Sequence, residues 1–501
     1  MDRDSDGEDD VLWNDEDMAL MTVVQVVVNN NMMALYSSLV ARHEQDVSET
    51  IEDILRPNQD YRHLPRNTKA IFRHDEALKC IQRDYFGIPG DLTTPIFKNK
   101  SFEMMFRLSR SRVQRIFDDI MQTNHPFYVS NVDATGKKGA SLEAKVLLPL
   151  KTFAYGVAPH AFSDYFQMSK PLAGKCCEEF PEIMHRLYSE EYLRIPDACD
   201  IKDIVNLHEK VHGVQGMLGS LDCMHTGWKN CPKAWQASFK SGKESGGPTV
   251  VLEALADYHL WFWHASFGYA GSLNDLNILN LSPLLESLVD GSFVELEKSA
   301  NVVPFRVAGE SFQRLFALVD GIYPQYSRFV KAIQLPVTES EKYFTAWQEG
   351  ARKDIERAFG VLQARFQVMS RPFHGHSLQK ISKIVSACLI MHNMCIADRV
   401  MDGNVYAVYD PMYNGDDVDD ERRILEEDLL RIEENNNRDD DDDLVPAGTR
   451  GRARIGLANT DNEFVQQHMV ARQTHWRGLN DRNEHARLHS ALLRSKGGQE
   501  Y

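Results

Sequence analysis

The feature that most constrains this chain is an apolar run at residues 214–221 that is followed directly by an acid, Asp222. Glycines at positions 216 and 219 interrupt the run. A short apolar run bounded in this way is typical of a buried β-strand. Because side chains at the ends of rigid elements often carry chemistry, we expect Asp222 to be a functional residue at the end of a central strand.

More strands and more acids follow the first strand. The strand-like segments of this region are residues 214–221, 249–256, 259–267, 302–307 and 314–319. Residues 274–289 predict a helix between the third and fourth strands, and the uninterrupted apolar run that ends at Val319 suits a strand buried on both faces. Asp222, Asp275 and Asp320 therefore lie just past strands or in adjoining loops.

A fourth acid lies on a predicted helix at residues 349–369. Its apolar positions repeat at helical spacing: Ile355, Ala358, Phe359, Leu362 and Phe366. Glu356 lies at the edge of this stripe, and Arg352 precedes it by four residues, so the two side chains project along one flank. Glu356 could thus face a cleft while its helix is anchored in the core.

Several acids gathered from strand ends and a helix indicate binding of a divalent cation, because carboxylate oxygens are the ligands that Mg²⁺ prefers. Two such ions can promote phosphoryl transfer. Each acid has a plainer interpretation when it is taken singly. An Asp after a strand is more often a turn former or a helix cap, and Glu356 with Arg352 is more often a surface ion pair.

The region before the strands predicts helices. Residues 84–211 contain apolar positions at near-helical spacing in several short segments. A series of short helices is compatible with a helix-turn-helix that docks on DNA. A helical domain that only supports the strands is the more common explanation of such a series, and the sequence leaves both interpretations open.

The acidity of the chain is confined to its flanks. The net charge is −17, but residues 1–17 carry nine acids and one base, and residues 416–443 carry fifteen acids and four bases. The central body is therefore close to neutral and can present a basic face to phosphates. The acidic flanks are expected to be disordered. A basic patch at residues 450–454 could contact DNA, direct nuclear import or form a solvated linker.

Cysteine use and hydropathy favour an intracellular protein without a membrane segment. The eight cysteines lack the density and spacing of a disulfide framework. The apolar run at residues 18–28 is too short to span a bilayer, and the acidic start of the chain does not resemble a signal peptide. Cys223, His225 and Cys231 lack the fourth ligand and the paired spacing of a structural zinc site.

Five motifs in order carry a family resemblance. They are residues 216–225, 228–235, 270–275, 319–324 and 352–366. Together they closely resemble the plant-transposon-protein branch of the PIF/Harbinger DDE transposases, over roughly residues 84–400. The resemblance implies an α/β fold with an RNase H-like mixed sheet flanked by helices. It also implies a DDE-type endonuclease that uses two divalent ions, Mg²⁺ or Mn²⁺, to cleave transposon ends and transfer the 3′ ends to target DNA.

The resemblance assigns roles to particular residues. Asp222, Asp320 and Glu356 match the catalytic triad, and Asp275 falls on a further metal-liganding position. Arg352 matches a basic residue one turn before the glutamate, where it would contact phosphate or orient Glu356. Two more arginines of the same motif are candidate DNA contacts, Arg357 and Arg365.

The expected partners are DNA, a separate Myb-like DNA-binding protein and a second copy of the chain, and the expected location is the nucleus. The alternative is a domesticated, catalytically idle descendant that binds DNA or chromatin as an interaction protein. Retention of four acids argues against it, because buried like charges are costly without metal.

The predicted domain division has five segments. They are an acidic leader with a mixed helical segment at 1–83, a helical domain at 84–211, the RNase H-like nuclease domain at 212–400, an acidic linker with the basic patch at 401–460, and a terminal helical segment at 461–501 that could bind a partner.

Overall fold

The structure is a computed structural model that describes residues 72–87, 94–129, 132, 136, 138–240, 247–401 and 475–497. Three predicted features lie wholly or mainly outside these residues. They are the leader with its mixed helical segment, the acidic linker with the basic patch, and the first part of the terminal helix.

The part of the chain before the strands is helical, as predicted. Its α-helices are α1 (His74–Ile81), α2 (Asn99–Phe106), α3 (Arg110–Gln122), α4 (Leu142–Tyr155), α5 (Lys170–Tyr192) and α6 (Ala198–His212). Helices α3, α4 and α5 begin after Ser109, Ser141 and Ser169, whose side chains accept hydrogen bonds from the first turn. Helix α6 begins at a reciprocal capping box formed by Asp197 and Asp200. The presence of a helix-turn-helix stays a prediction.

A five-stranded mixed sheet forms the centre of the fold, which confirms the predicted α/β class. Its strands are β1 (Met217–Gly227), β2 (Thr249–Ala256), β3 (Phe262–Ala270), β6 (Phe316–Leu318) and β7 (Phe329–Val330), in the spatial order β3-β2-β1-β6-β7. Strands β1, β2 and β3 pair antiparallel, whereas β6 and β7 add in parallel on the other side of β1. The predicted strand at 302–307 is instead part of a separate two-stranded ribbon, β4 (Phe305–Val307) with β5 (Glu310–Phe312).

The expectation that the first strand stops at Asp222 is wrong. Strand β1 continues to Gly227, because its antiparallel pairing with β2 runs from Ser220 to Gly227. Its parallel pairing with β6 ends earlier, at Ser220 opposite Leu318. Asp222 therefore lies inside the strand on the β2 side and beyond the end of the pairing on the β6 side.

The single helix predicted at 274–289 is also divided. It forms α8 (Asp275–Leu281) and α9 (Pro283–Val289), after the short helix α7 (Gln236–Phe239) and before α10 (Ser292–Ser299). Ser282 ends α8 and caps α9, and Pro283 occupies the first position of α9. A proline has no backbone N–H to continue the preceding helix, so the chain starts a new one there.

Two long helices cover the sheet. Helix α11 (Glu339–Arg365) starts ten residues before the apolar stripe alone indicated, at a capping box of Thr338 and Glu341. Helix α12 (Leu378–Met401) packs against α5 and β3. Its segment Leu378–Val400 has the length and hydropathy of a membrane span, yet 67% of the apolar window is buried inside the protein. That burial is typical of the core helix of a globular protein.

The described end of the chain packs on its own fold. Helix α13 (Arg482–Gly497) contacts α11, β4 and β7 and buries Leu488, Ala491 and Leu492. Arg314 forms an ion pair with Glu484 at the start of this helix. Residues 482–497 thus pack on the rest of the chain, whereas the predicted terminal segment before residue 475 lies outside the described residues, and a partner for it stays a prediction.

Candidate active site

Asp222 lies on β1 beneath the arginine-bearing flank of α11. Its Oδ1 accepts a hydrogen bond from the Cys223 N–H at 2.8 Å, and its Oδ2 accepts one from Arg352 Nη1 at 3.0 Å. Two residues earlier on the strand, Ser220 Oγ donates a hydrogen bond to the Ala351 carbonyl at 3.3 Å. Alternate residues of β1 therefore face α11. The side chain of Asp222 is 23% exposed, which leaves it accessible from one side only.

The surroundings of Asp222 disfavour its negative charge. Burial raises the pKa of Asp222, and the carboxylates of Asp275 and Glu356 raise it further. The Cys223 N–H and the Arg352 guanidinium oppose this rise in pKa without overcoming it. These effects show that three of the predicted acids are close enough to interact electrostatically. A cation near them would stabilise the ionised form.

Asp320 follows β6 at the same end of the sheet. Ser220 of β1 pairs with Leu318 of β6, so Asp222 and Asp320 each lie two residues beyond the same parallel pair. Residues two apart on a strand share a face, and adjacent strands are about 4.8 Å apart. Asp320 thus lies just past the end of β6, at the edge of the sheet to which β1 carries Asp222. Asp320 is exposed, and its Oδ1 accepts a hydrogen bond from the Gly321 N–H at 2.6 Å.

Glu356 approaches the sheet from α11. Its Oε1 lies 2.8 Å from Arg352 Nη2, so one guanidinium joins Glu356 to Asp222. The four-residue spacing puts both side chains on one flank, as the sequence predicted. Glu356 is 48% exposed, whereas Arg352 is only 18% exposed. The carboxylate therefore stands at the rim of the site, and the arginine lies below it.

Asp275 is in the first turn of α8, directly after the Asn274 cap. Asn274 Oδ1 accepts a hydrogen bond from the Asn277 N–H at 2.9 Å, which fixes where the helix begins. Besides its influence on Asp222, Asp275 contributes to the raised pKa values of Cys223 and Tyr323, although burial is the largest cause in both. Asp275 thus lies beside the same stretch of β1.

Buried polar residues that the sequence reasoning missed hold these elements together. Gln348 is fully buried and its Nε2 donates to the Val319 carbonyl at 3.1 Å and to the Val330 carbonyl at 3.0 Å. It thereby ties α11 to the ends of β6 and β7, one residue before Asp320. Its spacing of four residues before Arg352 is the only sequence signal for this role.

The loop after Asp320 is anchored in two further ways. The Tyr323 hydroxyl lies 3.6 Å from Cys223 Sγ, and Tyr323 is 1% exposed. Lys331 Nζ donates to the carbonyls of Gly321 and Tyr323, at 3.3 and 2.9 Å. The loop is therefore held both to β1, next to Asp222, and to the residue after β7. No sequence pattern distinguishes these residues from ordinary turn residues.

The four acids do not yet form a compact ligand set. Among the residues that the structure describes, they do not include three acids whose ligand oxygens all lie within 4.8 Å of one another. Like charges repel, and the Arg352 guanidinium occupies the space between two of them.

The other two predicted DNA contacts are engaged within the protein. Arg365 is 2% exposed and donates to the His392 carbonyl at 3.3 Å, so its guanidinium lies in the core. Arg357 forms an ion pair with the buried Asp354 and lies over the Tyr258 ring at 5.4 Å. Burial of Arg365 leaves it no surface on which to meet DNA.

Comparison with known proteins supplies the family. Residues 190–402 match the family model described as plant transposon protein. This part of the chain is thus similar to the plant transposon protein family. The resemblance predicted from the sequence is thereby confirmed, and all four acids lie inside the plant transposon protein domain.

Individual relatives agree with this assignment. The chain is 23% identical over 327 residues to "Protein ALP1-like" of Arabidopsis thaliana, a match that covers 63% of this chain and 75% of that protein. It is 22% identical over 262 residues to "Putative nuclease HARBI1" of Homo sapiens, a match that covers 52% of this chain and 68% of that protein. The HARBI1 of Xenopus laevis is 22% identical over 308 residues, covering 58% and 81%. No solved structure matches the chain.

Proposed function

We propose that this protein is a DDE-type DNA endonuclease and transposase that cleaves DNA at transposon ends and joins the freed 3′ ends to target DNA. The observation that carries the proposal is the placement of three predicted acids on β1, just past its parallel neighbour β6, and on helix α11 beside it. Asp222 and Asp320 lie two residues past one parallel pair, and Arg352 links Asp222 to Glu356. The names of the relatives support a nuclease family.

The architecture supports an RNase H-like sheet. Three antiparallel strands are followed by two parallel ones, in the order β3-β2-β1-β6-β7, with helices packed on the sheet. In the proposed site the first acid comes from the central strand, the second from its parallel neighbour and the third from helix α11. This division between sheet and helix allows the site to be rigid at its base and open at its rim.

The residues present fit a pair of hard divalent cations. Asp222, Asp320, Glu356 and Asp275 offer only carboxylate oxygens, which suit Mg²⁺ and Mn²⁺. Burial and two neighbouring carboxylates raise the pKa of Asp222, so a bound cation would favour its ionised form. When bound, the cations would act as Lewis acids and would offset the negative charge on the phosphate in the transition state.

The protein's own groups supply position and charge. Asp222 is held by the Cys223 N–H and by Arg352, so its direction is set by the sheet and by α11 together. Arg352 forms ion pairs with two carboxylates, and its guanidinium is suited to bind a DNA phosphate. Gln348 fixes the strand end before Asp320 relative to the same helix. Correct spacing of the three acids thus depends on α11.

A cleavage assay tests the proposal. Wild-type protein should cut DNA that carries transposon ends when Mg²⁺ or Mn²⁺ is present. Each of the substitutions Asp222→Asn, Asp320→Asn and Glu356→Gln should lower the cleavage rate at least about 100-fold. Glu349→Gln is the matched control, because Glu349 is an exposed glutamate on the same helix. Equal cutting by wild type and by the three acid variants would sink the mechanism.

A second candidate function is a catalytically idle descendant that binds DNA or chromatin as an interaction protein. The ion pairs of Arg352 with both Asp222 and Glu356 favour it, because a guanidinium there can stabilise the acids without a cation. Titration with Mn²⁺ separates the candidates. Binding that is lost in Asp222→Asn supports the nuclease, and no binding by the wild type supports the idle protein.

We further propose that the protein works in the nucleus on DNA, as a homo-oligomer and with a Myb-like DNA-binding partner. The family of the domain and the near-neutral central body support DNA as the substrate. Fluorescence microscopy of the tagged protein tests the location, and light scattering with and without end-containing DNA tests the oligomer. A cytoplasmic signal or a monomer under both conditions would contradict the respective proposal.

A further inference from the structure

A second group of metal-binding side chains lies on the other side of α11. His208 and His212 of α6 and Asp354 of α11 each offer one ligand atom, and these three atoms all lie within 4.8 Å of one another. Among the described residues, it is the group of three potential metal ligands whose ligand atoms are this close together. It lies apart from the four acids, because Asp354 projects toward α6 and not toward β1.

The two histidines are arranged as ligands of a single ion commonly are. They are four residues apart on α6, so they occupy one face of the helix, one turn apart. Their rings are stacked with centroids 5.4 Å apart and an angle of 17° between the planes. Two imidazoles at this spacing on a helix are a recurrent half of a zinc site.

His208 is in an unusual state for a histidine in the core. It is fully buried, and neither of its ring nitrogens has a hydrogen-bond partner among the residues that the structure describes. A buried polar atom without a partner destabilises the folded state. A metal ion would satisfy one of these nitrogens, whereas no polar side chain of the described core does so.

Asp354 supplies the anionic ligand. It is fully buried, and its Oδ2 lies 3.1 Å from His212 Nε2. Arg357 pairs with the other carboxylate oxygen, Oδ1, so the oxygen that faces the histidines remains available to a cation. A metal ion between Oδ2 and Nε2 would replace the proton that these two atoms share.

The other charged groups nearby leave room for a positive ion. Asp257 is buried and close enough to interact electrostatically with Asp354, and it is bound by the Trp261 N–H and the Trp263 Nε1–H. His259 is the remaining titratable neighbour of this group. Two buried carboxyls against one arginine do not exclude a divalent cation.

We propose that His208, His212 and Asp354 form a site for a divalent transition-metal ion, with Zn²⁺ as the expected occupant. Two imidazoles and one carboxylate suit Zn²⁺ and not Mg²⁺, which prefers oxygen ligands alone. Glu209 completes a His-Glu-x-x-His pattern at residues 208–212, but its carboxylate accepts a hydrogen bond from Gln215 Nε2 at 2.7 Å. Because His208 and Asp354 are fully buried, the ion would be enclosed by the protein, and the proposed site is structural.

The function of the ion is to join two helices. It would link α6, which packs against β1, to the part of α11 that carries Arg352 and Glu356. The inference does not rest on the proposed nuclease activity, because an idle protein needs the same helix in the same place.

Metal content measures the proposal directly. Full-length protein without an affinity tag is dialysed against Zn²⁺, desalted and analysed by mass spectrometry for zinc, iron, cobalt and nickel. We expect about one tightly held zinc per chain in the wild type, and a loss of that zinc in His208→Gln and His212→Gln. His185→Gln is the matched control, since His185 is an exposed histidine on α5 whose Nδ1 lies 2.9 Å from Ser386 Oγ of α12. Asp222→Asn controls for the four-acid site and should keep the zinc.

Two further measurements guard against misfolding and against cysteine ligation. His212 lies at the rim, with 12% of its side chain exposed, so His212→Gln should fold even if a change at the buried His208 does not. X-ray absorption at the zinc edge should show nitrogen and oxygen ligands and no sulfur. Equal zinc in the wild type and in His212→Gln, a sulfur ligand, or a wild type that retains no zinc would each overturn the proposal.

Discussion

Replacement of Arg352 by methionine tests how the acids are held together. Methionine keeps most of the length of the side chain and removes both ion pairs. Arg352 Nη1 is 3.0 Å from Asp222 Oδ2, and Nη2 is 2.8 Å from Glu356 Oε1. The substitution leaves Asp222 buried among like charges, so the metal-free protein should lose stability.

The size of this loss follows from the exposure of each partner. Two unit charges 3 Å apart attract by about 5 kcal/mol at an effective dielectric of about 20, but desolvation cancels much of this. A hydrogen bond between charged groups contributes about 1.5–3 kcal/mol net, which suits Asp222 at 23% exposure. The pair with Glu356, at 48% exposure and four residues apart, adds only about 0.3–0.5 kcal/mol. We expect Arg352→Met to lower the free energy of unfolding by about 2–3 kcal/mol.

Urea unfolding in EDTA and in Mg²⁺ checks this reasoning. A bound cation supplies the positive charge that the variant has lost, so Mg²⁺ should stabilise Arg352→Met more than the wild type. Lys353→Met is the matched control, because Lys353 is an exposed cation at the next position of α11. A change below about 0.5 kcal/mol in EDTA would show that the guanidinium does not hold the acids. A gap between variant and wild type that is the same with and without Mg²⁺ would show that no cation binds in its place.

Three further predictions concern the frame of the site and its pH dependence. Gly219→Ala should cost about 1–3 kcal/mol in urea unfolding, since Gly219 has a φ of +140° and an added Cβ would lie 2.3 Å from the Ala256 carbonyl oxygen. Arg328→Met should cost about 3–5 kcal/mol, because it leaves the buried Glu297 unpaired, and an unchanged urea midpoint would contradict this. Burial lowers the pKa of His485 from 6.5 to about 4, and the nearby His489 is the second largest cause of this decrease. The neutral ring is thus favoured in the fold, and about 2–3 kcal/mol of stability should be lost as the pH falls from 6.5 to 4. His485→Leu should flatten that part of a thermal-unfolding pH profile.

The elements of the sheet were predictable where the sequence carries a strong period. Residues 249–256 form β2 at the predicted bounds, because the run is apolar except for Thr249 and Glu253 and turn residues flank it on both sides. Strand β6 was predicted from the apolar run that ends at Val319, although it is only three residues long, whereas β7 has two residues and too few positions for a pattern. The length of β1 was underestimated because its end is set by pairing with β2, which no local signal records.

The site was predictable at its acids and not at its supports. Asp222, Asp320 and Glu356 stand in motifs that a family resemblance identifies, and the structure brings their elements together. Gln348 and Tyr323 act through hydrogen bonds to residues far along the chain, and such partners leave no trace in a single sequence. The His-Glu-x-x-His pattern at residues 208–212 was readable, but its third ligand is 142 residues from His212.

Helix α11 connects these observations, because its faces serve different purposes. Gln348, Arg352 and Glu356 follow one another at intervals of four residues, so they form a single polar stripe that faces the strand ends and the acids. Ile355 and Leu362 are fully buried and fix the helix in the core, while Asp354 turns toward α6. A substitution on the polar stripe should therefore alter metal binding and cleavage, and one at Ile355 should alter stability first. A change at Asp354 should loosen the helix from α6 and reach the acids only through movement of α11. Measurement of cation affinity and unfolding on the same set of variants can distinguish these three effects, because each face predicts a different ratio of the two losses.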